Sequence, residues 1–237
     1  MTDIIIKNWA DLRDRVFEYR KTGHWIFRGE GAKDNKLMPR IGRPESRKRI
    51  SDGKTLPYDR GQEALMIDYF IRAAPPHIKH VPRTRLEWLA VAQHHGMVTR
   101  LLDWTESLLI AAFFAVKSAR GTPVIYAVNN LPVADKSKYD ELDELEDGAL
   151  YYPPHISANI PAQRSVFTVH RDPGKVFSPP TLHRLILDKT GPATAPITYR
   201  LNLDACGINM GSLFPDVNGL AAYVSWIYKW GRLPPTM

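Results

Sequence analysis

Hydrophobic positions along the chain alternate between helix-type and strand-type spacing, and no linker separates the two kinds of segment. Asn8 has a side chain suited to the N-cap of a first helix, and the apolar run over residues 24–28 predicts a buried strand after it. Further helices are predicted over residues 62–74, 84–95 and 217–230, and further strands over residues 98–102, 124–128, 165–170 and 183–187. This interleaving predicts a single α+β domain over residues 1–237.

Cap residues refine the predicted boundaries of three helices. Thr84-x-x-Glu87 is a capping box, in which a hydroxyl and a carboxylate satisfy the first free amides of a helix. Asp103 or Thr105 would cap an almost wholly apolar helix that ends at residue 116 and must be buried on most sides. The apolar positions of residues 197–203 alternate as in a strand, but Asp204 and Gly207 suit the end of a helix, which we prefer.

Two stretches carry charge in place of a regular apolar pattern. A basic loop over residues 29–59 is rich in glycine, proline and charge, and an acidic insertion is predicted over residues 135–148. Solvated surface is the preferred interpretation of both. The alternatives are a protein partner that docks on the acidic insertion, and nucleic acid that binds the basic residues of the loop, which are Arg40, Arg43, Arg47, Lys48 and Arg49.

Composition and charge narrow the class of protein. Hydrophobic residues make up 44% of the 237 positions, enough for a substantial core, and no apolar run has the length of a membrane span. The 32 Lys and Arg exceed the 25 Asp and Glu, so the net charge of +7 favours acidic partners. Cys206 is the one cysteine, which excludes intramolecular disulfides and a Cys-rich zinc site. The start of the chain lacks a signal-peptide pattern, and we expect a cytoplasmic location.

Two segments place polar groups where the surrounding pattern is apolar. Arg28 ends a buried strand, where a charge is costly unless it is paired or faces a ligand, and Gly29 permits close approach to the backbone. The second segment, residues 93–105, gathers polar or ionisable side chains around one helix–strand–helix corner. A candidate binding or catalytic site therefore centres on Arg28 and residues 94–105.

These residues resemble the FRG domain, a bacterial family named for Phe-Arg-Gly, here Phe27-Arg28-Gly29. The similarity continues in three further motifs, Gln93-His94-x-Gly96-x-x-Thr99-Arg100-Leu101-Leu102-Asp103-Trp104-Thr105, Ala162-Gln163-x-x-Val166-Phe167-Thr168 and Leu213-Phe214-Pro215-Asp216-x-x-Gly219-Leu220-Ala221. The chain departs from the family at His95, Leu108 and Ser165, where an aromatic residue, a proline and a glycine are usual. The resemblance implies an effector or toxin in bacterial stress or phage defence.

A weaker resemblance, to ADP-ribosyltransferases of the Arg-Ser-Glu type, implies an ADP-ribosyltransferase-like fold and NAD as the cofactor or substrate. By that resemblance Arg28-Gly29 and Arg100 would contact NAD, Trp104 would stack on nicotinamide, and Thr105 would bond its amide or ribose. The enzyme's glutamate has no counterpart, because the neutral Gln163 lies nearest its place. Three alternatives follow: the site binds NAD without transferring ADP-ribose, it uses another carboxylate such as Asp103, or it does not bind NAD at all. His94 is a further catalytic candidate.

Each candidate also has a purely structural interpretation. Arg28 and Asp103 would form an interior salt bridge, and Arg100 would pair with Asp103 or Glu30. His94 would only complement the C-terminus of its helix, and Trp104 would be part of the core. No metal site is predicted, since prolines interrupt the helix that would align His77 and His80. If the functional interpretation holds, six residues converge on one cleft, namely Arg28, His94, Arg100, Asp103, Thr105 and Gln163.

Overall fold

A mixed sheet flanked by helices organises the chain in a computed structural model, which describes residues 2–189, 191 and 195–233. The strands are β1 (Thr2–Ile6), β2 (Trp25–Glu30), β3 (Leu101–Thr105), β4 (Val124–Asn129), β5 (Ala149–Tyr151), β6 (Ser165–Val169) and β7 (His183–Leu187). The helices are α1 (Trp9–Lys21), α2 (Arg60–Ala73), α3 (Arg85–His94), α4 (Leu108–Lys117), α5 (Asn159–Gln163), α6 (Pro196–Ala205), α7 (Met210–Leu213) and α8 (Val217–Lys229). The architecture is the predicted α+β class.

The strand order is β1-β7-β4-β2-β3-β6-β5, and the β1–β7 pair is parallel while the other neighbours are antiparallel. Pairing is extensive within two groups of strands. Six residues of β2 pair with β4, and five residues of β3 pair with β6. Between β2 and β3, among the described residues, one pair bridges the strands, Phe27 with Thr105. The sheet therefore consists of a four-strand half (β1, β7, β4, β2) and a three-strand half (β3, β6, β5) joined at that pair.

Helix α4 packs across β2 beside this junction. Its predicted burial is confirmed, because seven of its ten residues are buried. The N-cap differs from both predicted candidates, since Ser107 accepts the hydrogen bond from the backbone amide of Ile110. Asp103 and Thr105 cannot serve, because the strand β3 continues through both of them. A Cβ atom added to Gly29 would lie 1.9 Å from the carbonyl oxygen of Ala111, so the glycine of β2 is what lets α4 approach.

Most other predicted elements are confirmed, and the differences lie mainly at short strands. Asn8 caps α1 by accepting from the amide of Asp11, and residues 197–203 fall in helix α6 as preferred. The predicted strand over residues 98–102 begins later, at Leu101, and the short strands β1 and β5 are additional. None of the helices in the described part of the chain has the length and apolar character needed to cross a bilayer.

The acidic insertion over residues 135–148 is mostly exposed, as expected, but a few of its residues anchor it to the rest of the domain. Leu142 and Leu145 are buried, in a cluster with the apolar residues of α3. Asp143 pairs with Arg60 and Arg100, and the carboxylate of Asp140 accepts from the backbone amide of Arg85. Because these contacts are made within the chain, they leave less of the segment available for docking a partner.

Candidate functional site

A cleft of about 480 Å³ opens where β2 and β3 diverge beyond the Phe27–Thr105 pair. Residues from both halves of the sheet line it, and α4, α5 and the residue after α7 close its sides. Four of the six residues predicted to converge on one cleft lie here, Arg28, Asp103, Thr105 and Gln163. Aromatic rings of Phe27, Phe114 and Phe214 supply the apolar part of the wall.

Arg28 bridges the gap between the diverging strands. Its Nε and Nη2 atoms lie 2.8 and 2.7 Å from Oε1 of Glu30. Its Nη1 donates to the backbone carbonyl of Asp103 at 2.8 Å and lies 3.4 Å from a carboxylate oxygen of the same residue. Burial disfavours the charged guanidinium, but the negative charges of Glu30 and Asp103 raise the pKa of Arg28 above its ordinary value. The guanidinium of Arg28 thus satisfies the backbone carbonyl of Asp103, a residue that has no strand partner on β2 among the described residues.

A string of polar contacts fixes the carboxylates on either side of Arg28. The amide nitrogen of Gln93 donates to Asp103 Oδ1 at 2.7 Å, and its amide oxygen accepts from the hydroxyl of Thr99. On the other side, Asn35 donates to Glu30 Oε2 at 3.1 Å. The side chain of Asp103 remains 58% exposed, so it is a positioned carboxylate that still faces solvent and the cleft.

Thr105 and Gln163 connect the elements around the cleft. The hydroxyl of Thr105 donates to the backbone carbonyl of Gln163 at 2.7 Å and accepts from the amide of Ser107 at 3.1 Å. The side-chain nitrogen of Gln163 donates to the carbonyl of Leu213 at 3.0 Å, which ties α5 to α7. The single proton of the Thr105 hydroxyl is used internally, but one acceptor lone pair remains, so the predicted bond to a nicotinamide amide or a ribose hydroxyl would be one that Thr105 accepts.

Lys117 contributes a cation to the cleft that the sequence interpretation missed. Its Nζ lies 4.9 Å from the centre of the Phe214 ring, within the range of a cation–π contact. Burial, together with the positive charge of Arg200, lowers the pKa of Lys117 from its ordinary value. A basic residue in the last turn of a helix is common, so the sequence offered no signal for Lys117. Phe214 and Gln93 do lie in motifs that carry the family resemblance.

The side chain of Trp104 is largely buried in the core of the domain. Strand residues alternate between faces, and the side chain of Trp104 lies on the opposite face of β3 from those of Asp103 and Thr105. The indole is buried with Ile26 and its Nε1 donates to Thr168 at 2.9 Å. Trp104 has the burial of a core residue, although it also contributes to the lining of the cleft, and its stacking on nicotinamide stays a prediction.

Gly29 and Arg100 also have different roles from those predicted. The close approach that Gly29 permits is that of α4, because an added Cβ would collide with its backbone. Arg100 lies outside the cleft and pairs with neither Asp103 nor Glu30. Its buried guanidinium instead bonds Glu63, at 2.6 Å from Nη2, and Asp143, at 2.9 Å from Nη1. A buried arginine needs a nearby counter-charge, and Glu63 on α2 provides it.

His94 does not line the cleft either. Its ring is exposed at the end of α3, and its centre lies 5.0 Å from that of His95. Partial burial and the neighbouring His95 lower the pKa of His94, which the charge of Asp216 opposes. Its place at a helix C-terminus agrees with the structural interpretation.

The basic loop is held largely by contacts within the chain. Arg47 pairs with Asp59 at 3.3 Å and Arg49 with Asp52 at 3.2 Å. Arg40 and Arg43 donate to backbone carbonyls, which leaves their charge uncompensated by these contacts. Nucleic-acid binding through Arg40, Arg43, Arg47, Lys48 and Arg49 stays a prediction, and the two ion pairs weaken the attraction it relies on.

The fold and the cleft define an α+β domain with a cleft, lined by aromatic rings and a few charged groups, at the junction of its two half-sheets. Residues 23–122 match the model of the FRG domain, so the chain contains an FRG domain in this segment. The matched segment runs from just before β2 to just after α4, so it includes Arg28, Gln93, Asp103 and Lys117, while Gln163 and Phe214 lie beyond it. No curated protein and no solved structure matches the chain.

Proposed function

We propose that this FRG-domain chain binds NAD in the cleft between β2 and β3 and acts on it in the manner of an ADP-ribosyltransferase. The observation that carries the proposal is Asp103, a carboxylate held by Gln93 and Arg28 yet exposed beside an aromatic-lined cleft. A cleft of about 480 Å³ with few, well-placed polar groups is typical of small-molecule sites. An enzyme of this kind suits an effector or toxin in stress or phage defence, the role implied by the family resemblance.

Asp103 is the group suited to the chemical step. When the bond between nicotinamide and ribose breaks, its electron pair leaves with nicotinamide and positive charge develops on the ribose. A fixed carboxylate close to that charge would stabilise the transition state. Water or a target side chain then gives an electron pair to the ribose carbon and loses a proton. In this scheme Asp103 takes the part of the glutamate that is absent from the Gln163 position.

Arg28 and Lys117 divide the remaining roles. The guanidinium of Arg28 is engaged by Glu30 and by Asp103, so it is better suited to positioning Asp103 than to gripping a pyrophosphate. The ammonium of Lys117 also lines the cleft, where it contacts the Phe214 ring and has no acidic partner among the residues that the structure describes. We therefore assign to Lys117, in place of Arg28, the attraction of the ligand's phosphates.

The test is to incubate the purified chain with NAD and quantify nicotinamide and ADP-ribose products by mass spectrometry, with NAD affinity measured by calorimetry. We expect Asp103→Asn to reduce product formation about 100-fold while NAD affinity changes little, because the charge acts mainly in the transition state. Asp14→Asn is the control, since it removes an exposed carboxylate on α1 that pairs with its neighbour Arg13 and lies outside the cleft. Absence of NAD binding, or full activity in Asp103→Asn, would refute the proposal.

A further inference from the structure

A second cavity, of about 510 Å³, lies on the other side of the Phe27–Thr105 pair. It is enclosed by the end of α1, the start of β2 and the start of α4, with Arg164 closing it from the end of α5. It lies outside the site described above, which it adjoins only at Phe27. Its charged lining consists of Arg20, His24, Glu106 and Arg164.

The guanidinium groups of Arg20 and Arg164 in this cavity have unused N–H donors, in contrast to that of Arg28. The closest approach of Arg164 to Glu106 is 3.6 Å and that of His24 to Glu106 is 3.5 Å, both too long for strong hydrogen bonds. Arg20 forms no ion pair with any residue in the described part of the chain. Since two arginines face one carboxylate, the cavity favours an anion.

The backbone at Arg164 gives a separate reason to ascribe a role to its side chain. Arg164 has φ 48° and ψ 48°, the left-handed conformation that glycine adopts freely and that is strained for a long side chain. Its carbonyl accepts from the amide of Glu106, and its amide donates to the carbonyl of Pro161. Strain that the surroundings hold in place at a cavity wall is characteristic of functional positions.

Three aromatic side chains form part of the uncharged lining, beside Val16, Leu108 and Leu109. The ring of Tyr19 meets Trp25 edge-on at 4.8 Å between centres and Phe27 at 5.3 Å. Trp25 is only partly buried, and the exposed ring of His24 precedes it in the chain. A flat ring of a ligand can therefore lie against this wall while its anionic group reaches the arginines.

We propose that the second cavity binds a phosphate-bearing ligand with an aromatic ring, of the nucleoside monophosphate class. Guanidinium groups with free N–H donors match phosphate oxygens in both charge and geometry. The aromatic side chains of the wall provide a surface for the aromatic ring of the ligand, and the volume of the cavity accommodates a molecule of this size. This proposal does not rest on NAD binding in the first cleft, and each of the two is tested by its own ligand.

The experiment measures binding of AMP, adenosine and inorganic phosphate to the full chain by calorimetry. We expect AMP to bind more tightly than either fragment, because it satisfies both the arginines and the aromatic wall. Arg164→Asn and Arg20→Gln should each weaken AMP binding about tenfold, the loss of one charge-assisted contact. Asparagine tolerates the left-handed conformation, so Arg164→Asn should fold normally.

Arg13→Gln is the control, since it removes an equally charged, exposed side chain of α1 that does not line the cavity. Lys117→Gln reports whether AMP occupies the first cleft instead. Unchanged AMP affinity in both Arg164→Asn and Arg20→Gln would overturn the proposal. So would the absence of AMP binding, adenosine binding as tight as AMP, or loss of AMP binding in Lys117→Gln alone.

Discussion

Replacing Gly29 with alanine would place a methyl carbon inside the contact between β2 and α4. The new Cβ would lie 1.9 Å from the carbonyl oxygen of Ala111 and 2.5 Å from the amide nitrogen of Ala115. The first distance is about 1.5 Å short of ordinary van der Waals contact. Both obstructing atoms belong to the backbone of a buried helix, so no side-chain rotation relieves the collision. Overpacking of this kind costs about 1–3 kcal/mol, and we expect the upper end of that range.

For a chain of this size, a loss of about 3 kcal/mol corresponds to a fall in melting temperature of roughly 6–12 °C. The assay is thermal and urea denaturation of Gly29→Ala beside Gly61→Ala. Gly61 lies in the first turn of α2, where an added Cβ would be 3.4 Å from its nearest neighbour, an ordinary contact. Alanine there should be neutral or stabilising by up to about 1 kcal/mol. If Gly29→Ala melts like Gly61→Ala, the close approach of α4 is not what requires the glycine.

Two further predictions concern buried ionisable groups. Glu63→Gln should lower the free energy of unfolding by about 3 kcal/mol, because the buried guanidinium of Arg100 loses its nearest counter-charge. Urea denaturation measures this loss, and unchanged stability would contradict the pairing of Glu63 with Arg100. Burial lowers the pKa of the His170 side chain from 6.5 to about 4, although the charge of Asp147 opposes this shift. The stabilisation that neutral His170 contributes to the folded protein is therefore complete above pH 6.5 and is lost as the pH falls towards 4. At 1.36 kcal/mol per pKa unit the loss reaches about 3 kcal/mol, and His170→Gln should show a correspondingly shallower fall in stability between pH 7 and 4.5; equal falls in both proteins would refute this.

Local signals in the sequence predicted the helices well. The caps at Asn8 and Thr84 both form, since an N-cap bond involves residues only two or three positions apart. The carboxylate of Glu87 accepts from the amide of Arg83, one residue before the expected partner. The strand β1 was missed although Ile4, Ile5 and Ile6 are β-branched residues typical of a strand. Its pairing partner β7 lies 181 positions away, so the sequence did not indicate what the strand pairs with.

The site was predicted in part, and its errors have two physical origins. The strand alternation of β3 already separates Asp103 and Thr105 from Trp104, so the core position of Trp104 was accessible from the sequence. The partner of Arg100 could not be predicted from the sequence, because Glu63 lies 37 positions away on helix α2. In the acidic segment, Leu142 and Leu145 are spaced as on one helical face, a local sign of burial that the surrounding charges obscured.

The single pair Phe27–Thr105 is a point about which the two halves of the sheet can rotate relative to each other. The cleft at Asp103 and the cavity at Arg164 lie on opposite sides of this residue pair. An in-plane rotation of one half-sheet against the other would open one of them while it closes the other. A ligand that wedges either space apart would then weaken binding in the second, and thermodynamic linkage makes this antagonism equal in both directions.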